Sequence, residues 1–338
     1  MKSKLAVVIL NWNGQQFLEK FLPKLLSSCP DYAEVVVADN ASDDQSVTFL
    51  QTRYPQIRLI QNSANVGFSK GYNEALWQIE ADYYCLLNSD IEVGEYWIEP
   101  IIELLDKQPD IAIAQPKLRS FHEPKKFEYA GASGGFLDRY GYPFCRGRLF
   151  SMIEEDKGQY NDVIDVFWAT GAAMFVRSEL YHELGGFDDD FFAHMEEIDF
   201  CWRMKNRGRR IVVEPKSEVY HVGGGTLPKN NAYKTFLNFR NNLFLLVKNM
   251  PKNRLLPTLF LRFFMDILAA LLFLCQGHGR DFTAVLKAQF AFWKSYKKMK
   301  LKRDNRYMTA FTDTYPHSIV WGHYVAGKRY FNGKKLIK

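Results

Sequence analysis

Glu196, Glu197 and Asp199 stand one and three residues apart where an apolar helical pattern opens, behind Gly185-Gly186-Phe187 and the run Asp188, Asp189, Asp190. Carboxylates in the first turn of a helix gain from its dipole. Converging in a pocket, like charges raise one pKa toward the range useful to a general base. Decoration of a helix N-terminus is the competing explanation, and it suits Asp199 better than two adjacent glutamates. Asn88-Ser89-Asp90 closes the apolar run 84–87 and sets one carboxylate at a strand mouth, where a divalent cation holding two phosphates would sit. A plain turn would use the same residues. His221 ends the run 211–220 beside glycines 223–225, free to approach a metal-bound diphosphate, although a lone histidine is usually structural. Asp39 ends the run 35–38, where it could accept from a base N–H or a ribose hydroxyl, or cap the helix that follows. Asn65, Gly67, Gly71 and Asn73 precede and open another helix, and the small residues at 67 and 71 let backbone approach a ligand closely. An ordinary loop and first turn explains them equally well.

The elements that must position these residues alternate. Strands are expected at 5–10, 35–38, 57–60 and 83–87, with helices at 16–26, 47–53, 70–79 and 96–108 between and after them. Such alternation predicts a mostly parallel sheet with helices on both faces, whose ligands bind beyond the carboxyl ends of the strands. The polar clusters at Asn11, Asp39 and Asn88 fall at those ends. No G-x-G-x-x-G follows the first strand, and there is no P-loop, no H-E-x-x-H and no G-x-S-x-G, which removes dinucleotide, P-loop and ordinary hydrolase chemistry.

With 338 residues, 47% of them hydrophobic and 24% charged, the chain falls outside disordered and fibrous compositions. Its five cysteines are too far apart for a zinc pair, and their odd number argues for a reducing compartment. The basic start precedes only a short apolar run, so no export is expected and the protein is placed in the cytoplasm. Charge is split: from Gly225 onward 21 Lys and Arg face 4 Asp and Glu, a net +17, whereas the preceding residues carry −11. A basic module meets nucleic acid or lipid headgroups, and the apolar stretch 255–275, followed by the basic run 294–306, favours lipid and excludes nucleic acid. Arg262 and Asp266 lie mid-stretch, and Pro257 sits near its start. An interfacial or shallowly inserted helix is therefore expected rather than a span, with a buried soluble helix as the alternative.

Taken in order, V-I-L-N-W-N-G, V-A-D-N-A-S-D-D, N-x-G-F-S-K-G-Y-N, L-L-N-S-D, G-G-F-D-x-x-F-F-x-x-x-E-E-x-D-x-x-x-R and V-Y-H-V-G-G-G-T resemble family 2 glycosyltransferases of the GT-A fold, closest to the rhamnosyltransferase-like branch. The resemblance covers about residues 4–226 and implies a catalytic domain at 1–226 with a helical, basic, membrane-associating region at 227–338. It implies an α/β, Rossmann-like fold and the inverting transfer of one sugar, rhamnose-like or another hexose. The donor would be a nucleoside-diphosphate sugar and the acceptor a glycan, polyprenyl-linked, met on the anionic inner face of the cytoplasmic membrane during cell-surface polysaccharide synthesis. By the family's pattern Asn11, Asp39, Asn65, Gly67, Gly71, Asn73, Asn88 and Gly171 hold the nucleotide sugar, and Asp90 and His221 hold Mg²⁺ or Mn²⁺. Glu197 is the base by position, with Glu196 its competitor and Asp199 beside them. Two departures stand out. Asn88 replaces the first Asp of D-x-D, and no Q-x-x-R-W follows the acidic motif, which implies single-sugar addition rather than processive synthesis. A catalytically silent scaffold retaining the pocket is the rival from another class. A sugar-nucleotide-forming transferase is a second, but residues 11–14 supply no Lys or Arg for its loop.

Overall fold

The computed structural model describes residues 3–223, 231–304 and 310–337. Strand and helix alternate as expected: β1 (Ser3–Asn11), α1 (Gln15–Ser27), β2 (Ala33–Asp39), α2 (Ser46–Arg53), β3 (Arg58–Gln61), α3 (Gly67–Leu76) and β4 (Ala81–Asn88), then the short β5 (Ile91–Val93) and α4 (Glu99–Lys107). Strand β6 (Ile111–Ser120) leads into a small meander of β7 (Gly135–Leu137), β8 (Pro143–Cys145), β9 (Arg148–Leu149) and β10 (Met152–Ile153). The chain returns through β11 (Ile164–Asp165), β12 (Ala173–Arg177), α5 (Ser178–Glu183), α6 (Glu196–Asn206) and β13 (Arg210–His221). The C-terminal region holds α7 (Ala232–Asn249), α8 (Lys252–Cys275), α9 (Gly279–Leu301), α10 (Ile319–Tyr324) and the hairpin β14 (Tyr330–Phe331) with β15 (Leu336–Ile337).

The main sheet runs β11-β13-β6-β12-β4-β1-β2-β3, with β5 against β13. Strands β4, β1, β2 and β3 are mutually parallel, and their near-continuous apolar runs suit strands covered on both faces. The rest is mixed. Strand β12 lies antiparallel between β4 and β6, and β11 and β5 lie antiparallel to β13. The chain leaves β1 toward β2 on one side and returns to β4 on the other, so a crevice opens beyond the carboxyl ends of β1 and β4.

One apolar cluster packs α1 and α4 on one face of the sheet, around Leu18, Leu22, Trp97 and Ile101. The other face carries α3 and α6 through Tyr72, Leu76, Phe200 and Trp202, each fully buried side chain contributing about 1.5–3 kcal/mol. Leu243, Phe244 and Leu246 of α7 and Phe292 of α9 belong to that second cluster, so the core runs on from the sheet into the C-terminal helices. The boundary expected at 226 lies outside the described residues, as do Gly224, Gly225 and Arg306.

Helix α8 reverses the usual amphipathic arrangement. Its buried stripe includes Arg262 and Asp266, whose Nε and Oδ1 lie 3.5 Å apart. Arg262 also donates to the Tyr140 carbonyl at 3.1 Å and stacks on Tyr142, and Asp266 accepts from Gln289 of α9 at 2.8 Å. The outward face is Leu256, Phe260, Phe264, Leu268 and Leu272, with Phe260 70% exposed. Of the two sequence-based alternatives, a wholly buried soluble helix is therefore not what forms. It is the one described helix long and apolar enough to cross a membrane, by length and composition alone.

Candidate active site

Beyond β1 and β4 lies a cavity of about 440 Å³, walled by Trp12, Asn40, Asn65, Gly67, Asn88, Ser89, Asp90, Gly171, Glu196, Glu197 and His221 together with residues of α7. Its polar floor is built from strand ends. Asn40 follows β2 and donates from Nδ2 to Asn65 Oδ1 at 3.0 Å, while its Oδ1 accepts from Asn62 Nδ2 at 3.1 Å. Asn65 Oδ1 also accepts the Gly67 amide at 3.1 Å, holding the turn that opens α3. Gly67 has φ +84°, and a Cβ there would fall 2.6 Å from the Phe192 carbonyl oxygen, so no other residue lets the two segments close. Gly171 lies between Phe68 and Glu197, where a Cβ would press on the Phe68 ring at 3.0 Å.

Asn11 and Asp39 stand one layer behind this wall. The Asp39 carboxylate accepts from Asn11 Nδ2 at 3.1 Å, from the Ser42 amide at 2.9 Å and from the Ser42 hydroxyl at 2.6 Å, and it is 1% exposed. It organises the loop after β2, and the neighbouring Asn40 reaches the cavity in its place. Gly71 meets Leu10 across the helix–sheet contact. Asn73 points away from the cavity, donating to the Phe187 carbonyl at 2.9 Å and Asp189 at 2.7 Å and accepting from Tyr181 at 2.6 Å. With the Phe187 amide also donating to its Oδ1 at 3.0 Å, its amide completes four internal bonds, and that is where the fold uses it.

Asp90 and His221 meet at the mouth of β4, with Asp90 Oδ1 3.2 Å from His221 Nε2. Glu128 faces the other ring nitrogen, its Oε1 3.3 Å from Nδ1. Burial alone would lower the His221 pKa, but the Glu128 and Asp90 carboxylates outweigh it and push it up to about 10. In return the imidazolium holds both carboxyls below their usual range against the cost of burial. Glu128 escaped sequence reading because it lies in no motif and no regular element. Among the described residues no three His, Cys, Asp or Glu side chains gather into a metal cage. Asp90 and His221 would nonetheless make a sound pair of ligands once a hard divalent ion displaces the Nε2 proton, the ion drawing its other ligands from diphosphate oxygens and water. The Glu128 carboxylate behind the ring is the outer partner such a histidine commonly has.

Across the cavity the acidic cluster divides. Asp199, expected near the chemistry, is fully buried on the far side of α6, where it takes Lys248 Nζ at 2.7 Å, Arg203 Nε at 2.9 Å and Asn249 Nδ2 at 2.8 Å. Burial works against its charge, yet these cations hold its carboxyl below the ordinary range. Asp188 joins it on Lys248 at 2.6 Å, and with Asp190 it pairs with Lys302, which caps the end of α9. Glu196 and Glu197 face the cavity instead. The Oε2 oxygen of each is buried without a hydrogen-bond partner among the described residues. Burial, with Glu197 beside it, drives Glu196 well above the usual carboxyl range. Burial lifts Glu197 to about 7, although the amides that open α6 partly oppose it.

The turn that delivers this pair is strained. Phe192, His194 and Met195 all have positive φ, and Phe192 (φ 66°, ψ −63°) centres a three-residue turn closed by the Ala193 amide on the Phe191 carbonyl at 2.8 Å. Each such non-glycine residue costs about 1–3 kcal/mol and persists only where its surroundings impose it. Thr170 and, from α7, Tyr233 and Lys234 belong to this wall and lay outside the sequence motifs, as did Ala130 and Ala172. A helix so far along the chain from the strand ends gives no local sequence signal of its return to a pocket.

The family model for glycosyl transferase family 2 matches residues 6–185, more than half of the chain. The chain is 25% identical over 239 residues to an N-acetylglucosaminyl-diphospho-decaprenol L-rhamnosyltransferase of Mycobacterium tuberculosis, spanning 65% of this chain and 76% of that one. It is 22% identical over 226 residues to the rhamnosyltransferase WbbL of Escherichia coli, spanning 64% and 82%. A mannosyltransferase of Pyrobaculum calidifontis, solved with GDP-Man and Mn²⁺, superposes at a TM-score of 0.52 with 14% identity over 93% of this chain and 87% of that one, a likeness of fold. With its mixed sheet, its strand-end cavity and these relatives, the chain belongs to glycosyl transferase family 2, in the rhamnosyltransferase-like branch.

Proposed function

We propose that the protein transfers one hexose from a nucleoside-diphosphate sugar to a hydroxyl of a lipid-linked glycan, inverting the anomeric centre. The observation that carries this reading is the opposition of two sites across one cavity: the Asp90–His221 pair on one wall and, on the other, the Glu196–Glu197 pair, each with one buried oxygen that no described residue satisfies. Glu197, poised near neutral pH, takes the proton of the acceptor hydroxyl as that oxygen attacks the anomeric carbon. Burial and the neighbouring Glu197 carboxyl push Glu196 well above the usual carboxyl range, so the two groups titrate as a coupled pair. Asn65 and Asn88 present amides to the donor, Asn40 braces Asn65 and the start of α3 from below, and Asp39 with Asn11 keeps the loop beneath it in register. Asp90 and His221 would hold Mg²⁺ or Mn²⁺, which neutralises charge on the departing diphosphate when bound. The substitution at Asn88 leaves that element with a single carboxylate, and His221 supplies the second protein ligand.

The lipid-linked acceptor rests on the outward apolar face of α8, continued on α9 by Phe290 and Trp293 and flanked by the exposed Lys252, Arg254, Arg280, Lys287 and Lys294. An apolar face with basic flanks suits an anionic leaflet. Thr235 of α7 donates to Asp281 at the head of α9 at 2.6 Å, which ties the end of that face to the helix carrying Tyr233 and Lys234. The protein thus works on the inner face of the cytoplasmic membrane without having to span it. The test is a panel of nucleotide sugars offered with polyprenyl-diphosphate acceptors or with soluble glycans, scoring released nucleoside diphosphate. Transfer to the lipid-linked acceptors alone supports the reading; equal transfer to soluble glycans overturns the lipid assignment, and no diphosphate release with any donor overturns the transferase.

A further inference from the structure

Strain at residues 192–195 must be imposed by something, and the residue that imposes it lies on α7, beyond the sequence motifs. Asn241 is fully buried, and its Nδ2 donates to the carbonyls of Phe191 (2.9 Å), Ala193 (2.9 Å) and His194 (2.8 Å). Two hydrogens serve three acceptors, so one is shared. The amide cannot flip, because its Oδ1 accepts from Arg240 Nε at 2.9 Å, and Arg240 in turn donates to the Asp190 and Phe191 carbonyls at 3.2 and 3.1 Å. From the opposite side the first amides of α3, Phe68 and Ser69, take the Phe192 carbonyl at 2.6 and 3.1 Å. The turn is therefore gripped on both flanks, and Met195, the last strained residue, is also the residue from which α6 starts.

We propose that Asn241 is a positioning residue of the transfer reaction: by collecting the carbonyls of the strained turn it sets the start of α6 and hence the direction in which Glu196 and Glu197 face the cavity. This rests on the reading of that pair as the site of the base. It also makes α7 part of the catalytic unit, so the C-terminal region does more than reach a membrane.

Asn241→Asp and Asn241→Ala, made in the full-length chain, test this directly. The aspartate keeps the shape but aims an anionic oxygen at carbonyl oxygens, whereas alanine only removes the donors. Hydrogen–deuterium exchange of the segment 191–199 should quicken at least tenfold in both, with the β1–β4 segments unchanged. Turnover should fall at least tenfold, further for Asp than for Ala, while Mn²⁺-dependent binding of UDP, GDP and dTDP stays within about twofold of the parent. Should the aspartate variant fail to fold, the alanine variant decides alone. Unchanged exchange at 191–199, or turnover within twofold of the parent in either folded variant, overturns the proposal. So does a loss of turnover matched by an equal loss of diphosphate binding. If Glu197→Gln and Glu196→Gln both keep full activity, the reading of the base fails, yet faster exchange in the Asn241 variants would still stand as evidence of the grip.

Discussion

Helix α6 presents two acidic faces within one turn, and they have opposite electrostatics. On the face toward α7, Asp199 lies between Lys248, Arg203 and Asn249, and every part of its charge is answered. On the face toward the cavity, Glu196 and Glu197 are as deeply set, but the Oε2 of each has no hydrogen-bond partner among the described residues. Burial penalises charge on both faces, so the partners decide the outcome: one carboxyl is pulled below its usual range and two are driven above it. Ionised groups that are fully paired make structure, whereas those left unpaired near neutral pH are available for chemistry.

Breaking the paired face should have the largest effect. Asp199→Asn leaves Lys248 with Asp188 as its only carboxylate, so thermal or urea unfolding at pH 7 should report a loss of about 3 kcal/mol. The sign follows from linkage. The folded pKa of Asp199 lies below its unfolded value, so its contribution is complete above the unfolded pKa of about 4 and vanishes as pH falls through the folded one. The parent and Asp199→Asn should thus converge in stability in strong acid; a gap that is constant with pH would mean the loss is one of packing.

On the unpaired face the same isosteric change should cost function and add stability. Glu197→Gln should lower turnover by about two orders of magnitude, what removal of a general base takes away. Because the folded pKa of Glu197 is raised to about 7 from about 4 in the unfolded chain, its destabilisation sets in above pH 4 and is complete above pH 7, and the variant should gain about 3 kcal/mol at pH 8 and nothing below pH 4. Turnover retained in Glu197→Gln but lost in Glu196→Gln would exchange their roles. Smaller again, Asp90→Ala and His221→Ala should each weaken Mn²⁺-dependent binding of a nucleoside diphosphate about tenfold and leave its metal-free binding unchanged. Full turnover in excess EDTA would remove the metal from the mechanism.

Much of this was legible in the sequence because it is local. The strand-end positions of Asn11, Asp39 and Asn88 follow from apolar runs ended by polar clusters, and β1 to β4 form where those runs lie. The antiparallel strands β11, β12 and β5 were not legible, since a short apolar run does not carry its direction in a sheet. The spacing of Glu196, Glu197 and Asp199 places them on one helical turn, yet which face meets cations depends on Lys248, some fifty residues later in the chain. Asn73 reads as a ligand-loop residue and serves as an internal clamp, because the segment 181–189 that it holds comes from a distant part of the chain. Glu128 and Asn241 offered no local pattern at all; each is recognised only by what it touches.

The division of α6 into a structural and a reactive face is tested most directly by the pH dependence of kcat at saturating Mn²⁺ and donor, for the parent and for Glu197→Gln. We expect the parent to lose activity as pH falls, with an acid limb near 7 because the base must be ionised, and the residual rate of Glu197→Gln to show no such limb. A parent rate that stays flat from pH 8 to pH 5, or a limb near 7 that survives in Glu197→Gln, would contradict the assignment of the base to the unpaired face.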